Sequence, residues 1–193
     1  MKKSSQSGYE AEEAVEIINM QKLDHSMLDQ SAAILNRSIP LGWPTLEEAR
    51  QEIRDRLVAG NTLLAAVKGN KVLGWGGILE PIYDGRVFEL HPLAVDQQVR
   101  GRGIGRSLVT ALEDEARRQG GLTMYLGADD ESAEGETSLA KADLYEDLPG
   151  KLQNFLPSTH QSAFYLKLGY TIIGVMPDAN GPGKPDIFLG KKL

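Results

Sequence analysis

The chain has 193 residues, 41% of them hydrophobic and 25% charged, and carries a net charge of -6 with no cysteine. That balance suits one compact domain with its own core and excludes a chain disordered throughout. The missing cysteines exclude disulfides, thiolate metal sites and cysteine nucleophiles, and the net acidity argues against general nucleic-acid binding, which needs a basic surface.

Residues 1–12 read as a flexible tail: Lys2 and Lys3 are followed by no apolar signal-peptide region. No run is long enough to span a membrane, and a cytoplasmic location is expected. The domain then occupies 13–193. Val15 to Met20 reads as a first strand, and Met27, Leu28, Ala32 and Leu35 recur at helical spacing. After Pro44, Thr45-Leu46-Glu47-Glu48 is a capping-box pattern, in which Thr45 accepts a main-chain N–H and Glu48 reaches back. The helix it opens carries a stripe of Leu46, Ala49, Ile53 and Leu57 and ends at Gly60-Asn61. Thr62 to Val67 and Lys71 to Leu79 are β-rich runs around Gly69-Asn70, which predicts a hairpin. Arg86 to Val95 supplies a third consecutive strand. A glycine-rich loop follows, then a helix with Ile104, Leu108, Leu112 and Ala116 on one face, and a strand over Leu122 to Leu126. Ser132 to Pro157 has no sustained period and reads as part of an acidic insertion at about 129–157, holding one short helix. Gln161 to Leu168 predicts another helix, closed by Gly169, and Tyr170 to Met176 with Ile187 to Lys191 a last strand pair. Strands run together before and after helices, so the expected class is α/β of the mixed (α+β) kind: one mostly antiparallel sheet flanked by helices.

A strand end, then glycines, then a helix start is the arrangement of an anion site, because unpaired N–H groups and the helix dipole point outward there. Gly101, Gly103 and Gly105 let a phosphate approach the backbone, and Arg100, Arg102 and Arg106 add charge. A P-loop needs Lys after its final glycine, but Arg106 precedes Ser107 here. A dinucleotide fingerprint needs a glycine where Arg106 stands, and a parallel βαβ unit. A plain connecting turn is the remaining alternative.

Gln98-x-x-Gly101-x-Gly103, followed by the long helix, resembles the Q/R-x-x-G-x-G/A motif of the GNAT N-acetyltransferases. Ala163 to Tyr170 resembles that family's A-x-x-Y-x-x-x-G-F/Y segment, and the element order matches from about Val15 onward. The resemblance implies the GNAT fold and acetyl-CoA (coenzyme A) as cofactor. It places Leu93, Ala94 and Val95 along the pantetheine, and Gln98, Arg100, Gly101, Arg102, Gly103, Ile104, Gly105 and Arg106 around the pyrophosphate. It places Tyr165 as general acid beside the sulfur. His160 stands where the family often has Asn beside the pantetheine. No metal site is expected.

Glu89 and His91 lie two apart on a strand and share one face, where either is a candidate to deprotonate an amine, Glu89 first. The bland reading gives Glu89 a cross-strand ion pair and His91 a buried hydrogen bond. Phe88 to Leu93, and the run from Gly174 to Ile187 containing Asp178, are similar to some aminoglycoside 6′-N-acetyltransferases. That resemblance implies a small polycationic amine as acceptor. The acids Asp129, Asp130, Glu131, Asp143, Glu146, Asp147 and Asp178 point the same way by charge as a group, although each taken singly reads as a solvated loop charge. The alternatives are acetylation of polyamines or other small amines, and an acyl-CoA-sensing module without chemistry. A homodimer joined through Phe155, Leu156 and the last strands is compatible with the pattern.

Overall fold

The computed structural model describes residues 14–193, so the expected tail at 1–12 lies outside the described residues. The chain runs β1 (Glu16–Asn19), α1 (His25–Ser38), α2 (Leu46–Arg56), β2 (Thr62–Lys68), β3 (Lys71–Ile78), β4 (Val87–Val95) and α3 (Ile104–Arg118), then β5 (Thr123–Asp129), α4 (Leu148–Gln153), α5 (Ser162–Leu166), β6 (Thr171–Met176) and β7 (Asp186–Lys192). The strands form one 7-stranded sheet in the order β1-β2-β3-β4-β5-β7-β6. Every neighbouring pair is antiparallel except β4 with β5. Among the described residues no helix is long and apolar enough to cross a membrane.

Local chemistry sets the helix ends. The Thr45–Glu48 capping box is complete, with Thr45 N–H donating to Glu48 Oε2 at 2.9 Å and Glu48 N–H donating to Thr45 Oγ1 at 3.2 Å. Asp24 caps α1 by accepting from Met27 N–H at 2.9 Å.

The sheet has helices on both faces. Met27, Ala32, Ile34 and Leu35 of α1 and Ala49 and Ile53 of α2 pack on Leu63, Ala65, Val67, Val72, Trp75 and Ala94. Trp75 is fully buried there, and its indole N–H donates to Ser31 O at 2.9 Å. On the other face Ile104 and Leu108 cover Ala66 and Leu73, while Val109, Leu112 and Ala116 cover Ile78, Phe88, Leu90 and Met124. The expected stripe of α3 is therefore its buried face.

Two irregularities of β4 position the site. Gly76 pairs with Leu93 and Ile78 with Leu90, so β4 carries an extra residue against β3, a bulge. The bulge breaks the alternation: Phe88 and Leu90 face α3, yet Ala94 lies in the cluster beneath α1 and α2. The second irregularity lies on the other edge of β4. Its parallel pairing with β5 covers only Val87↔Thr123, Phe88↔Met124 and Glu89↔Tyr125, after which the strands part. β5 runs on to Asp129 because β7 supplies its partner, so it is longer than the pattern from Leu122 to Leu126 suggested.

The acidic segment after β5 folds as turns and the short helix α4, against the loop that joins β6 and β7: Lys141 N–H donates to Gly183 O at 2.8 Å. Phe155 packs on the main core cluster, leaving Leu156 as the exposed apolar side chain of that pair.

Candidate active site

Where β4 and β5 part, one edge of β4 loses its strand partner. Asp96 N–H donates to Leu73 O on β3 at 2.9 Å. Strand alternation therefore turns the N–H groups of Leu93 and Val95 away from β3 and into the opening. The carbonyl of Val95 agrees with this, since it accepts from Ser38 Oγ and Arg100 Nε, each at 3.2 Å, and not from β3.

Beyond Val95 the chain reaches the glycine loop. Gly101 and Gly103 have φ of 77° and 86°, a region open to glycine, and a Cβ on either would meet nothing within 4 Å. No side chain caps α3, so its first N–H groups face outward from the loop. Arg100, Arg102 and Arg106 are exposed and have no ion-pair partner among the described residues. Uncapped amides, clear space above two glycines and three unpaired guanidiniums fit a pyrophosphate.

Tyr165 reaches this end of the molecule through aromatic packing. Phe164 lies against Gly105, where a Cβ would come within 3.2 Å of its ring, and Tyr165 meets Phe164 and Tyr170 edge-on at 5.0 and 5.7 Å between centroids. Burial pushes the Tyr165 phenol above its ordinary range, so it keeps its proton. His160 has both ring nitrogens engaged inside the protein, with Ser162 Oγ at 2.9 Å and the carbonyl of Asp129 at 3.0 Å. It ties α5 to the end of β5.

The opposite face of the opening is acidic. Glu89 accepts from the Tyr125 hydroxyl at 3.0 Å. Burial and that bond push the phenol up to about 12, so Tyr125 remains a donor. His91, on the same face, meets Glu52 of α2 with Nε2 3.4 Å from Oε1, and its ring centroid lies 5.8 Å from that of Trp43. His91, with Arg56 at 2.7 Å, holds the Glu52 carboxyl down to about 2.

The acids of the insertion and of the β6–β7 loop divide into two groups. Asp130 is buried and accepts from Glu136 and Thr137 N–H at 2.8 and 2.7 Å. Asp143 accepts from Tyr145 N–H, Asp147 from Gly150 N–H and Asp178 from Gly183 N–H, at 3.0, 3.2 and 2.6 Å. These four shape turns. Glu146 is exposed, and its carbonyl takes the Lys151 ammonium. Asp129, which accepts from Asn180 Nδ2 at 2.6 Å, and Glu131 lie at the end of β5. Burial and then Asp129 raise the Glu131 carboxyl, against Lys184.

Sequence reasoning missed Tyr125, Glu52, Trp43 and Asp186. Asp186 opens β7 directly opposite Asp129. Its Oδ1 is the one side-chain polar atom among the described residues that is buried without a hydrogen-bond partner, an arrangement that costs about 1–3 kcal/mol. Burial, Asp129 and Glu89 together push its carboxyl up to about 6.

A loop that fits a pyrophosphate and a proton-holding phenol on one side of a split sheet, with an acid-lined face on the other, suit an enzyme that moves an acyl group from a coenzyme A thioester to an amine. The Acetyltransferase (GNAT) family model matches residues 28–142, and the chain belongs to that family; it is an acetyl-CoA-dependent N-acetyltransferase. No curated protein sequence matches it. Among solved structures, an aminoglycoside 6′-N-acetyltransferase complexed with coenzyme A is similar at 36% identity and TM-score 0.82, over 92% of this chain and 96% of that one. The aminoglycoside 6′-N-acetyltransferase from Enterococcus faecium is similar at 36% identity and TM-score 0.81, with the same coverage of 92% and 96%. An aminoglycoside 6′-acetyltransferase type Ii follows at 30% identity and TM-score 0.70, also over 92% and 96%.

Proposed function

We propose that the acceptor is an aminoglycoside, acetylated at its 6′-amine, and that Glu89 is the base. The observation that carries this reading is the pairing of Glu89 with Tyr125 at the last residue before β4 and β5 part, on a face that continues to Asp129 and holds no neutralising ion pair for Glu89 among the described residues. The named activities of the solved structures similar at 30% identity or more support it.

Acetyl-CoA, when bound, supplies the activated acetyl group. The pyrophosphate is assigned to Gln98, the amides and arginines of Arg100 to Arg106, and the α3 start, and the pantetheine to the free edge of Leu93 to Val95. The outward N–H groups of Leu93 and Val95 are the donors available to a carbonyl oxygen. The amine attacks only when neutral, and Glu89, with one oxygen oriented by Tyr125, takes the proton it sheds. Tyr165 holds the proton needed on the opposite side of the reaction. His91, braced by Glu52 and Trp43, orients the acceptor, while Asp129 and Glu131 attract its ammonium groups, with Asp143, Glu146 and Asp178 adding to the field from farther out. A cytoplasmic enzyme of this kind confers resistance by masking the drug's amine.

Thiol release measured with kanamycin or tobramycin, with spermidine and with no acceptor tests the assignment, with mass spectrometry and NMR locating the acetyl group. Efficient aminoglycoside turnover that weakens with salt and yields the 6′-acetamide is expected. Turnover of spermidine alone would leave the family chemistry standing and overturn the acceptor assignment.

A further inference from the structure

We propose that Asp186 seats a second ammonium group of the acceptor, distinct from the amine that reacts, so that the enzyme selects acceptors carrying at least two cationic nitrogens. This rests on the reading of Glu89 as the base at the same site.

The placement follows from strand register. Residues 125, 127 and 129 of β5 share the face on which Tyr125 meets Glu89, and Asp186 stands opposite Asp129 on that face. Its carboxylate does not point straight out. Oδ2 lies only 2.7 Å from where a Cβ on Gly127 would be, so the group leans across β5 toward Tyr125, over ground that any other residue would fill. Oδ1 remains buried with nothing to accept from.

A carboxylate built for stability is paired, as buried Glu113 is with Lys191. The charged groups that act on Asp186 are Asp129 on β5 and Glu89 on β4, both acidic, with Glu131 in turn beside Asp129. Lys184, in the loop before β7, acts on Glu131 and forms no ion pair with Asp186. Asn180 is already spent on Asp129. The group thus lacks a cation that the chain does not provide. Along β5, the two steps from Tyr125 to Gly127 and the four to Asp129 span roughly 7 and 13 Å, which brackets the separation of amino groups in an extended diamine or across linked amino sugars. The reacting amine must stay at Glu89 and give up its proton there, so the cation at Asp186 is a different one. With its carboxyl raised to about 6 in the free enzyme by burial, Asp129 and Glu89, Asp186 holds a proton below that pH, and an arriving ammonium group displaces it.

The test compares wild type with Asp186→Asn on 1,6-diaminohexane, hexylamine and kanamycin. Asp186→Asn is expected to raise KM for the diamine and kanamycin about tenfold, with kcat within about twofold and hexylamine unaffected. Calorimetry of diamine binding to the CoA-loaded enzyme at pH 6, in two buffers of different ionisation enthalpy, counts displaced protons. Release is expected in wild type and in Glu89→Gln, and is expected to vanish in Asp186→Asn. Retention of both the diamine preference and the proton release in Asp186→Asn overturns the proposal. So does a fall in kcat with KM unchanged, or a variant that melts below wild type at pH 8, since either marks a structural or chemical role. If wild type turns over none of the three amines, the acceptor reading fails by itself, and the calorimetry still decides the role of Asp186.

Discussion

The two ends of β7 treat a carboxylate in opposite ways. At the C-terminal end Lys191 gives its ammonium to both oxygens of Glu113 on α3, at 2.9 and 2.8 Å, with Arg117 at 3.4 Å and the Tyr170 ring 5.5 Å from the same Lys191 nitrogen. At the N-terminal end Asp186 is partly buried beside Asp129 with no cation at all. The first arrangement completes its electrostatics inside the chain and holds α3 to the sheet. The second is left incomplete where the sheet opens, and folding stability is lost there in exchange for a seat that a ligand completes.

The sharpest break of this contrast is Lys191→Met. Stranding the buried Glu113 charge should cost about 3 kcal/mol and lower the melting temperature by roughly 10 °C, read by thermal unfolding, with Glu113→Gln in the same chain restoring part of it. Next, Glu89→Gln should lower kcat/KM about 100-fold in the thiol-release assay while leaving the melting temperature near wild type, because Glu89 sits on the open side. Tyr125→Phe removes the donor that orients Glu89. A loss of about threefold to tenfold in kcat/KM is expected, with the melting temperature near wild type, because one Glu89 oxygen is no longer oriented. The smallest effect belongs to Asp186→Asn on stability. The folded carboxyl titrates at about 6 against an ordinary 3.8, so its stabilising contribution is present below about pH 4 and is lost as pH rises through 6. The variant should therefore melt a few degrees above wild type at pH 8 and converge with it near pH 4. A lower melting temperature at pH 8 would erase the distinction between the two ends.

How much of this was legible in the sequence depended on the range of the interaction. The capping box at Thr45 and Glu48, the hairpin around Gly69-Asn70 and the buried stripe of α3 are each fixed within a few residues, and the pattern located them. The glycine loop before α3 was equally local, and its position at the end of β4 followed from the order of elements. The bulge between Leu90 and Leu93 was not readable, because it exists only in the register with Gly76 and Ile78. Glu89 and His91 were found as a face, yet their partners Tyr125 and Glu52 lie on elements whose pairing no local pattern encodes. The acids of the insertion and of the β6–β7 loop were visible as charge, but not the main-chain amides that occupy Asp130, Asp143, Asp147 and Asp178. Asp186 alternates with buried Ile187 and Leu189 as any outward strand residue does, and only the approach to Gly127 sets it apart.

The seam between β4 and β5 is three residue pairs long. It divides the sheet into a half that carries the donor loop and a half that carries Asp129, Asp186 and the acidic segment. With so short a shared border, a substitution on β5, on β7 or in the turns between them is expected to change the acceptor in the reading proposed above, and to leave the glycine loop and its arginines untouched. Selection is then free to retune the acceptor half one residue at a time, against a donor half that never has to be reinvented.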